Sequence, residues 1–225
     1  MEMGFLDYSG IDAALYCGYP GYYGVTGIVD ILNGGTNPSA KMVDTSAYDL
    51  TTAPSYVNVG NEATHNYEGR GGKYTDYAED IYVGYKWYET ADAEGYWDGM
   101  ALNSYGKEKS GYDAVVQYPF GYGLSYTTFD WSIVSEKIGD TDLSAVSNIQ
   151  STDTVTVEVW VENTGSKAGK DVVELYYQSP YTKGGIEKSS INLIDFEKTG
   201  LLKPGQGEKL TLKCRVADMA SYDSY

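Results

Sequence analysis

The strongest constraint on the fold is the spacing of apolar residues after position 129, where they recur at every second place. Val155, Val157, Val159 and Val161 show this spacing without interruption. Successive side chains of a β-strand point to opposite faces, so the pattern predicts strands with one buried face. It recurs in residues 129–133, 173–177 and 210–216, and less regularly in residues 191–196, which Asp195 interrupts. Because turns containing Gly and Pro separate these runs, residues 129–225 are predicted to form a two-sheet antiparallel sandwich.

A different pattern precedes this region and predicts one βαβ unit within residues 1–50. Residues 11–17 form a continuous apolar run, which is typical of a buried parallel strand. Apolar residues then recur between positions 25 and 32 at the spacing of one helix face, and Asn33-Gly34-Gly35 predicts a left-handed cap. Residues 41–44 would form the next strand. One such unit cannot bury both faces of a parallel sheet by itself, so we expect only part of an α/β domain.

Residues 51–128 are predicted to form an irregular connector between these two parts. They contain many Tyr, Gly, Asn, Asp and Thr residues and little periodicity, apart from an aromatic run at residues 81–88. Irregular segments of this length are uncommon inside a compact domain unless they are functional or lie against another part of the protein. We favour the second explanation.

The charge of the chain excludes some classes of partner. It has 16 Lys and Arg residues against 32 Asp and Glu residues, a formal net charge of −16, and the acidic groups are spread throughout. A protein that binds a nucleic-acid backbone needs clustered basic residues, so nucleic acid is not an expected partner, whereas a neutral sugar is compatible. No apolar run is long enough to span a membrane, and residues 1–4 lack the pattern of a signal peptide. The sequence therefore does not indicate a cellular compartment.

The sequence offers few ligands for a metal. It contains one histidine and two cysteines without a paired motif, so neither a zinc site nor a cofactor is expected. Cys17 lies in the apolar run near the start of the chain, and Cys214 lies in an alternating run. Both are therefore predicted to be small, buried and chemically inert.

Two aromatic motifs point to a known family. Residues 118–129 read Tyr-Pro-Phe-Gly-Tyr-Gly-Leu-Ser-Tyr-Thr-Thr-Phe, and residues 81–90 read Ile-Tyr-Val-Gly-Tyr-Lys-Trp-Tyr-Glu-Thr. Together they resemble the segment of family 3 glycoside hydrolases that leads from an α/β sandwich domain to a fibronectin type III-like domain. Residues 37–41, Asn-Pro-Ser-Ala-Lys, are similar to a further motif of the family, in which Gly usually stands at the position of Ala40. The resemblance covers nearly the whole chain.

The resemblance implies a piece of a longer retaining β-glucosidase that hydrolyses terminal, non-reducing β-linked sugars. It places the nucleophilic aspartate in an N-terminal barrel and the acid/base glutamate earlier in the α/β sandwich, so both catalytic carboxyls and their domains would lie upstream. We therefore expect no catalytic residue in this chain and no hydrolysis by the chain alone. Its expected role is structural support, together with part of the pocket rim. Both ends are expected to be cut within domains, which would leave the β-sandwich without its closing strands.

A few residues are candidates for contact with substrate. Glu79 and Asp80 form an adjacent acidic pair in a Tyr-rich setting, although surface carboxylates are usually only solvated. Tyr122 and other aromatic residues could stack on sugar rings, but packing at a domain junction is the better explanation. His65 lies in a polar loop without a nucleophile motif, and the glycines near Arg70 lack the spacing of a phosphate loop. The alternative function is a stand-alone carbohydrate- or protein-binding module. The aromatic content is the only feature that favours it.

Overall fold

The structure, a computed structural model, describes residues 2–58, 65–66, 73–74, 77 and 79–223. The α-helices are α1 (Gly24–Leu32), α2 (Ser55–Asn58), α3 (Tyr85–Ala93) and α4 (Tyr112–Val115). The strands are β1 (Ser46–Ala47), β2 (His65–Asn66), β3 (Lys73–Tyr74), β4 (Ala101–Ser104), β5 (Lys107–Ser110), β6 (Val116–Tyr118), β7 (Phe129–Ile138), β8 (Thr141–Asp142), β9 (Thr154–Asn163), β10 (Val172–Gln178), β11 (Ile191–Lys198) and β12 (Gly207–Arg215). Short 3-10 turns occur at Gly4–Asp7, Leu50–Thr52, Leu143–Ala145 and Val216–Met219.

The largest sheet has four strands in the order β12-β9-β7-β8, and all its pairs are antiparallel. In β9, Val157 lies opposite Leu212 and Val159 lies opposite Leu210. Residues directly opposite each other in a sheet share a face, so these four side chains point the same way. All are buried. The alternation in the sequence therefore predicted both the strands and their buried face.

Strands β10 and β11 form a second sheet, with an irregular register between Leu175 and Tyr176. Val173 of β10 belongs to the same buried cluster as the core residues of β9 and β12, and Leu175 and Ile194 pack against it. Burying one such side chain contributes about 1.5–3 kcal/mol, so the shared cluster holds the two sheets together. The five antiparallel strands predicted between residues 129 and 216 are confirmed, including the less regular one that contains Asp195.

The second sheet covers only part of the first. Trp131 and Ile133 of β7 lie opposite Val161 and Val159, so they share the core-facing side of the sheet. Yet Trp131 is 51% exposed and Ile133 is 65% exposed, whereas the two valines are buried. The indole Nε1 of Trp131 donates a hydrogen bond to Asp171, just before β10, at 3.0 Å. Within the described residues, no element lies over this strip of β7, which leaves an apolar surface.

The predicted βαβ unit is wrong, although its helix is confirmed. Residues 11–17 form no strand and are almost entirely exposed, because no strand in the described part of the chain pairs with them. A parallel strand needs such a neighbour to satisfy its backbone groups. Helix α1 forms as predicted and ends at Leu32, and Gly34 after it has a φ of 78°, the left-handed conformation that the sequence predicted. Residues 41–44 are not a strand either, but Met42 exchanges two backbone hydrogen bonds with Gly121 and Tyr122.

The two cysteines differ in their surroundings. Cys214 is buried in the core, as predicted, because its strand position faces the second sheet. Cys17 is exposed, so the prediction for it is wrong. The apolar run that contains Cys17 has no partner strand, and its side chains therefore remain at the surface.

The connector is more regular than predicted. Residues of β1, α3, α4, β6 and the loop after α3 form a second apolar cluster, made of Ala47, Tyr88, Ala91, Trp97, Val115 and Val116. The hairpin of β4 and β5 contacts α4 and so lies close to the cluster. The second half of the aromatic run, residues 85–88, thus lies in the helix that contributes Tyr88 and Ala91 to this cluster. None of the helices in the described residues has the length and apolar character needed to cross a membrane.

Candidate functional site

Two of the sequence motifs meet in the fold, and we call residues 37–41 and 118–129 together the junction. Asn37 is at its centre. Its Oδ1 accepts hydrogen bonds from the Ser125 hydroxyl at 2.9 Å and from the backbone N–H of Tyr126 at 2.8 Å. Its Nδ2 donates to the carbonyl of Ala168, between β9 and β10, at 2.9 Å. One side chain therefore ties the N-terminal segment, the aromatic motif and the β-sheet region together.

Lys41 makes the second link across the junction. Its Nζ lies 2.9 Å from Oδ1 of Asp171 and donates to the carbonyl of Gly123 at 3.1 Å. Asp171 is buried and also accepts from the indole of Trp131. A buried carboxylate needs such partners, because removing its countercharge would leave an uncompensated charge in the interior. The lysine of this motif is thus a structural residue in this fold.

Two glycines in the aromatic motif have different roles. Gly121 has a φ of 79°, the left-handed region that other residues rarely adopt. Gly123 has no such constraint, but a Cβ there would lie 2.5 Å from the carbonyl oxygen of Ala40. Two backbone segments therefore approach each other so closely at Gly123 that any other residue type would force them apart.

A fully buried asparagine supports the junction from the sheet side. Asn163, at the end of β9, accepts a hydrogen bond from the Thr127 hydroxyl at 2.7 Å. Its Nδ2 donates to the carbonyls of Lys167 and Leu202 at 2.7 and 2.8 Å. Every polar group of this side chain has a partner, as a buried amide requires. The junction is therefore fixed to the sheet by specific polar contacts as well as by packing.

A cleft of about 490 Å³ lies between α3 and the loop that joins β10 to β11. Both walls carry aromatic and polar side chains, and the lining residues are Tyr82, Thr90, Ala93, Glu94, Gln178, Ser179, Pro180, Tyr181, Lys188 and Ser190. We call this region the hairpin cleft. It combines the aromatic and hydrogen-bonding groups that binding sites for small polar ligands use.

Hydrogen bonds join the two walls of the hairpin cleft. The Tyr82 hydroxyl donates to Glu187 at 2.5 Å, the backbone N–H of Ser190 donates to Thr90 at 2.9 Å, and that of Leu193 donates to the Tyr85 hydroxyl at 2.9 Å. Burial, and then the hydrogen bond to Glu187, raises the pKa of Tyr82 above its ordinary value. The Tyr82 hydroxyl therefore stays protonated and keeps donating at neutral pH.

Glu89 of α3 is a half-buried carboxyl group outside the hairpin cleft. Burial raises its pKa above the ordinary value, against the opposing effect of the hydrogen bond from the Tyr112 hydroxyl. Perturbed carboxyl groups often mark functional sites. Here the carboxyl group of Glu89 accepts a hydrogen bond from Tyr112 and so connects α3 to α4. We therefore assign Glu89 a structural role.

The residues predicted to lie near substrate do not form one site. Glu79 is buried, contrary to the expectation of a solvated carboxylate, whereas Asp80 is exposed and has a φ of 49°. Tyr122 is 37% exposed and its ring lies 4.9 Å from that of Tyr118, within the junction. None of the three lines the hairpin cleft. The side chain of His65 and the glycines near residue 70 lie outside the described residues.

The described residues also contain no group of three or more His, Cys, Asp or Glu side chains that could hold a metal ion. No model of a protein family matches the chain.

Comparison with individual proteins is more informative. The chain is 36% identical over 223 residues to a β-glucosidase of Ruminococcus albus, and the match covers 99% of this chain. It is 37% identical over 216 residues to β-glucosidase A of Butyrivibrio fibrisolvens, with 95% covered. The crystal structure of a β-glucosidase from Paenibacillus barengoltzii matches 89% of this chain at 36% identity and a TM-score of 0.66. Over the residues it spans, the chain belongs to the family 3 glycoside hydrolases.

The match is confined to one part of each family 3 β-glucosidase. The chain spans about a fifth of its curated relatives, 19% of the Ruminococcus enzyme and 22% of the Butyrivibrio enzyme. It spans 17% of the Paenibacillus structure. The matching part is C-terminal in these proteins. The resemblance deduced from the aromatic motifs is thereby confirmed.

The hairpin cleft is the feature of this family 3 chain that the sequence did not indicate. One wall comes from residues 82–94 and the other from residues 178–190, and no motif links them. Only the aromatic run at residues 81–88 gave a local signal, and it was assigned to packing. Since tertiary contacts bring the walls together, spacing along the chain could not reveal them.

Proposed function

We propose that the chain is the structural C-terminal part of a longer retaining β-glucosidase, which hydrolyses terminal, non-reducing β-linked sugars. In this proposal, residues 1–50 are the end of an α/β sandwich domain, residues 51–128 a connector that lies against the catalytic domains, and residues 129–225 a fibronectin type III-like β-sandwich. The observation that carries the proposal is the match of nearly the whole chain to about a fifth of proteins named β-glucosidase.

The apolar surfaces of the chain support this role. Helix α1 has no buried residue, although Val25, Val29 and Leu32 give it an apolar face, each more than half exposed. The strip of β7 that contains Trp131 and Ile133 is similarly exposed. Apolar faces of this kind are usually covered by a partner. We propose that α1 packs against the catalytic domains and that strands from elsewhere in the longer protein cover β7.

The catalytic centre belongs elsewhere in this proposal. A retaining glycosidase needs two carboxyl groups about 5–5.5 Å apart, one acting as nucleophile and one as acid and base. We assign both to the other domains of the longer protein, so its β-linked glycoside substrate would bind mainly there. Glu79, Asp80 and Tyr122 remain proposed residues of the pocket rim. No cofactor is needed for this mechanism.

A chimera tests the proposal directly. The matching residues of the Ruminococcus albus β-glucosidase are replaced by residues 1–225 of this chain, and release of p-nitrophenol from p-nitrophenyl β-glucoside is measured. We expect the chimera to hydrolyse the substrate and a deletion of the same residues to be inactive, because the supporting part is then missing. A soluble, folded chimera without activity would contradict the proposal.

A further inference from the structure

We infer that the hairpin cleft between α3 and the β10–β11 loop is a binding site for a β-linked glucose disaccharide. The assignment of the site rests on the geometry of the cleft. The choice of glucose units as the ligand rests on the proposed function. A volume of about 490 Å³ falls within the range of small-ligand sites, roughly 300–1,000 Å³.

The aromatic wall suits a sugar ring. Tyr181 lines the cleft and is 40% exposed, so part of its ring is free for contact. The C–H face of a pyranose is apolar and packs against an aromatic face, while the hydroxyls of the ring point outward. Tyr82, on the opposite wall, has its hydroxyl occupied by Glu187 and thus contributes shape rather than a free donor.

The polar groups of the cleft supply both donors and acceptors. Gln178 and Glu94 are exposed, and within the described residues neither side chain makes a hydrogen bond to another group. Lys188 uses its ammonium group for the carbonyl of Pro180 at 3.1 Å and has further N–H groups available. A sugar hydroxyl donates and accepts at the same atom, so it can pair with a carboxylate, an amide and an ammonium side by side.

The charge of the cleft favours a neutral ligand. Glu94 and Lys188 both line the cleft, so it carries charges of both signs, and either an anion or a cation would meet a charge of its own sign there. The hydrogen bonds of Thr90 and Tyr82 hold the walls at a fixed separation before any ligand arrives. A site formed in advance loses less entropy on binding than one that must close.

The test uses the 225-residue chain and cellobiose, a β-linked glucose disaccharide, in a titration followed by calorimetry. We expect saturable binding in the millimolar range. Tyr181→Ala should weaken it about fivefold or more, because the ring contact is lost, and Gln178→Ala should weaken it to a smaller degree. Tyr222→Ala is the matched control, since Tyr222 is 87% exposed and lies outside the cleft. That variant should bind like the wild type.

Two results would overturn the site. One is the absence of saturable binding in the folded wild-type chain, and the other is equal affinity of wild type and Tyr181→Ala. Circular dichroism of each variant checks that the fold is retained. The outcome is independent of the chimera: an active chimera without cellobiose binding by the chain removes the site and leaves the proposed function. Binding that depends on Tyr181, together with an inactive folded chimera, retains the site and removes the proposed function.

Discussion

Gly123 shows how a single residue fixes the junction, and it gives the first prediction. Because a Cβ at this position would meet the carbonyl of Ala40 at 2.5 Å, Gly123→Ala should force two backbone segments apart. We expect the free energy of unfolding to fall by about 1–3 kcal/mol, as is usual for overpacking a closely packed site. The urea midpoint of the 225-residue chain measures the change.

Gly27→Ala is the matched control for this substitution. Gly27 lies within α1, and no atom lies within 4 Å of the position where its Cβ would be. Alanine favours helix over glycine by about 0.5–1 kcal/mol, so this variant should be unchanged or more stable. If Gly123→Ala unfolds at the same urea concentration as the wild type, the close approach at the junction does not constrain the residue.

Asp7 gives a prediction about pH. Burial acts to raise the pKa of its carboxyl, but hydrogen bonds from Ser104 and Tyr48 and the charges of Lys109 and Lys107 lower it below the ordinary value of 3.8. The Tyr48 bond is 2.6 Å long. The folded state therefore binds the proton less readily than the unfolded chain. This stabilisation is present above the ordinary pKa and is lost as the pH falls through the lowered folded value.

Asp7→Asn should remove this dependence. The variant should be less stable than the wild type at neutral pH, and the difference should shrink as the pH falls below about 3.8, the ordinary value. Urea midpoints across this pH range measure it. Asp12→Asn, at an exposed carboxyl, serves as the control and should follow the wild type. A constant difference between Asp7→Asn and the wild type at every pH would contradict the assignment.

At the scale of elements, strand β7 presents apolar side chains that the second sheet does not cover. Exposed apolar strips of this kind promote association between copies of a chain. We expect the 225-residue chain to self-associate as its concentration rises, and Ile133→Lys to reduce this, because a charge on the strip opposes its burial. Sedimentation velocity gives the measurement. Ile133 is 65% exposed, so the substitution should leave the core intact.

Ile149→Lys provides the comparison for this effect. Ile149 is 47% exposed and lies between β8 and β9, outside strand β7, so we expect the same change in charge there not to alter association. A wild-type chain that stays monomeric at all concentrations, or an equal effect of both substitutions, would show that the strip of β7 is not the contact surface.

The elements also show which parts of the fold the sequence could predict. Strands β7, β9, β10, β11 and β12 were predicted because alternation is a local signal, and the antiparallel partners follow within the same region. The strands at residues 11–17 and 41–44 were wrong because parallel pairing depends on partners far away in the sequence. The junction motifs were found as motifs, but the role of Gly123 required the position of Ala40. The hairpin cleft required contacts between segments almost 100 residues apart.

At the scale of the whole molecule, the last prediction concerns activity. The 225-residue chain should release no p-nitrophenol from p-nitrophenyl β-glucoside or β-xyloside above the buffer rate. It spans about a fifth of the β-glucosidases it matches, and the proposed mechanism places both catalytic carboxyls in the other domains. Protein from an expression strain that lacks β-glucosidase is required, and the chimera with the Ruminococcus enzyme serves as the positive control.

Hydrolysis by the chain would contradict this division of roles, and two variants would then locate the carboxyls. Glu79→Gln replaces a buried carboxyl and Asp80→Asn an exposed one, so they separate a group held in the interior from a group at the surface. Activity that either variant abolishes would assign chemistry to the turn before α3. Activity that both variants retain would point to another pair of carboxyls within the 225 residues. We expect no activity to locate, because wild type and both variants should all give the same rate as buffer.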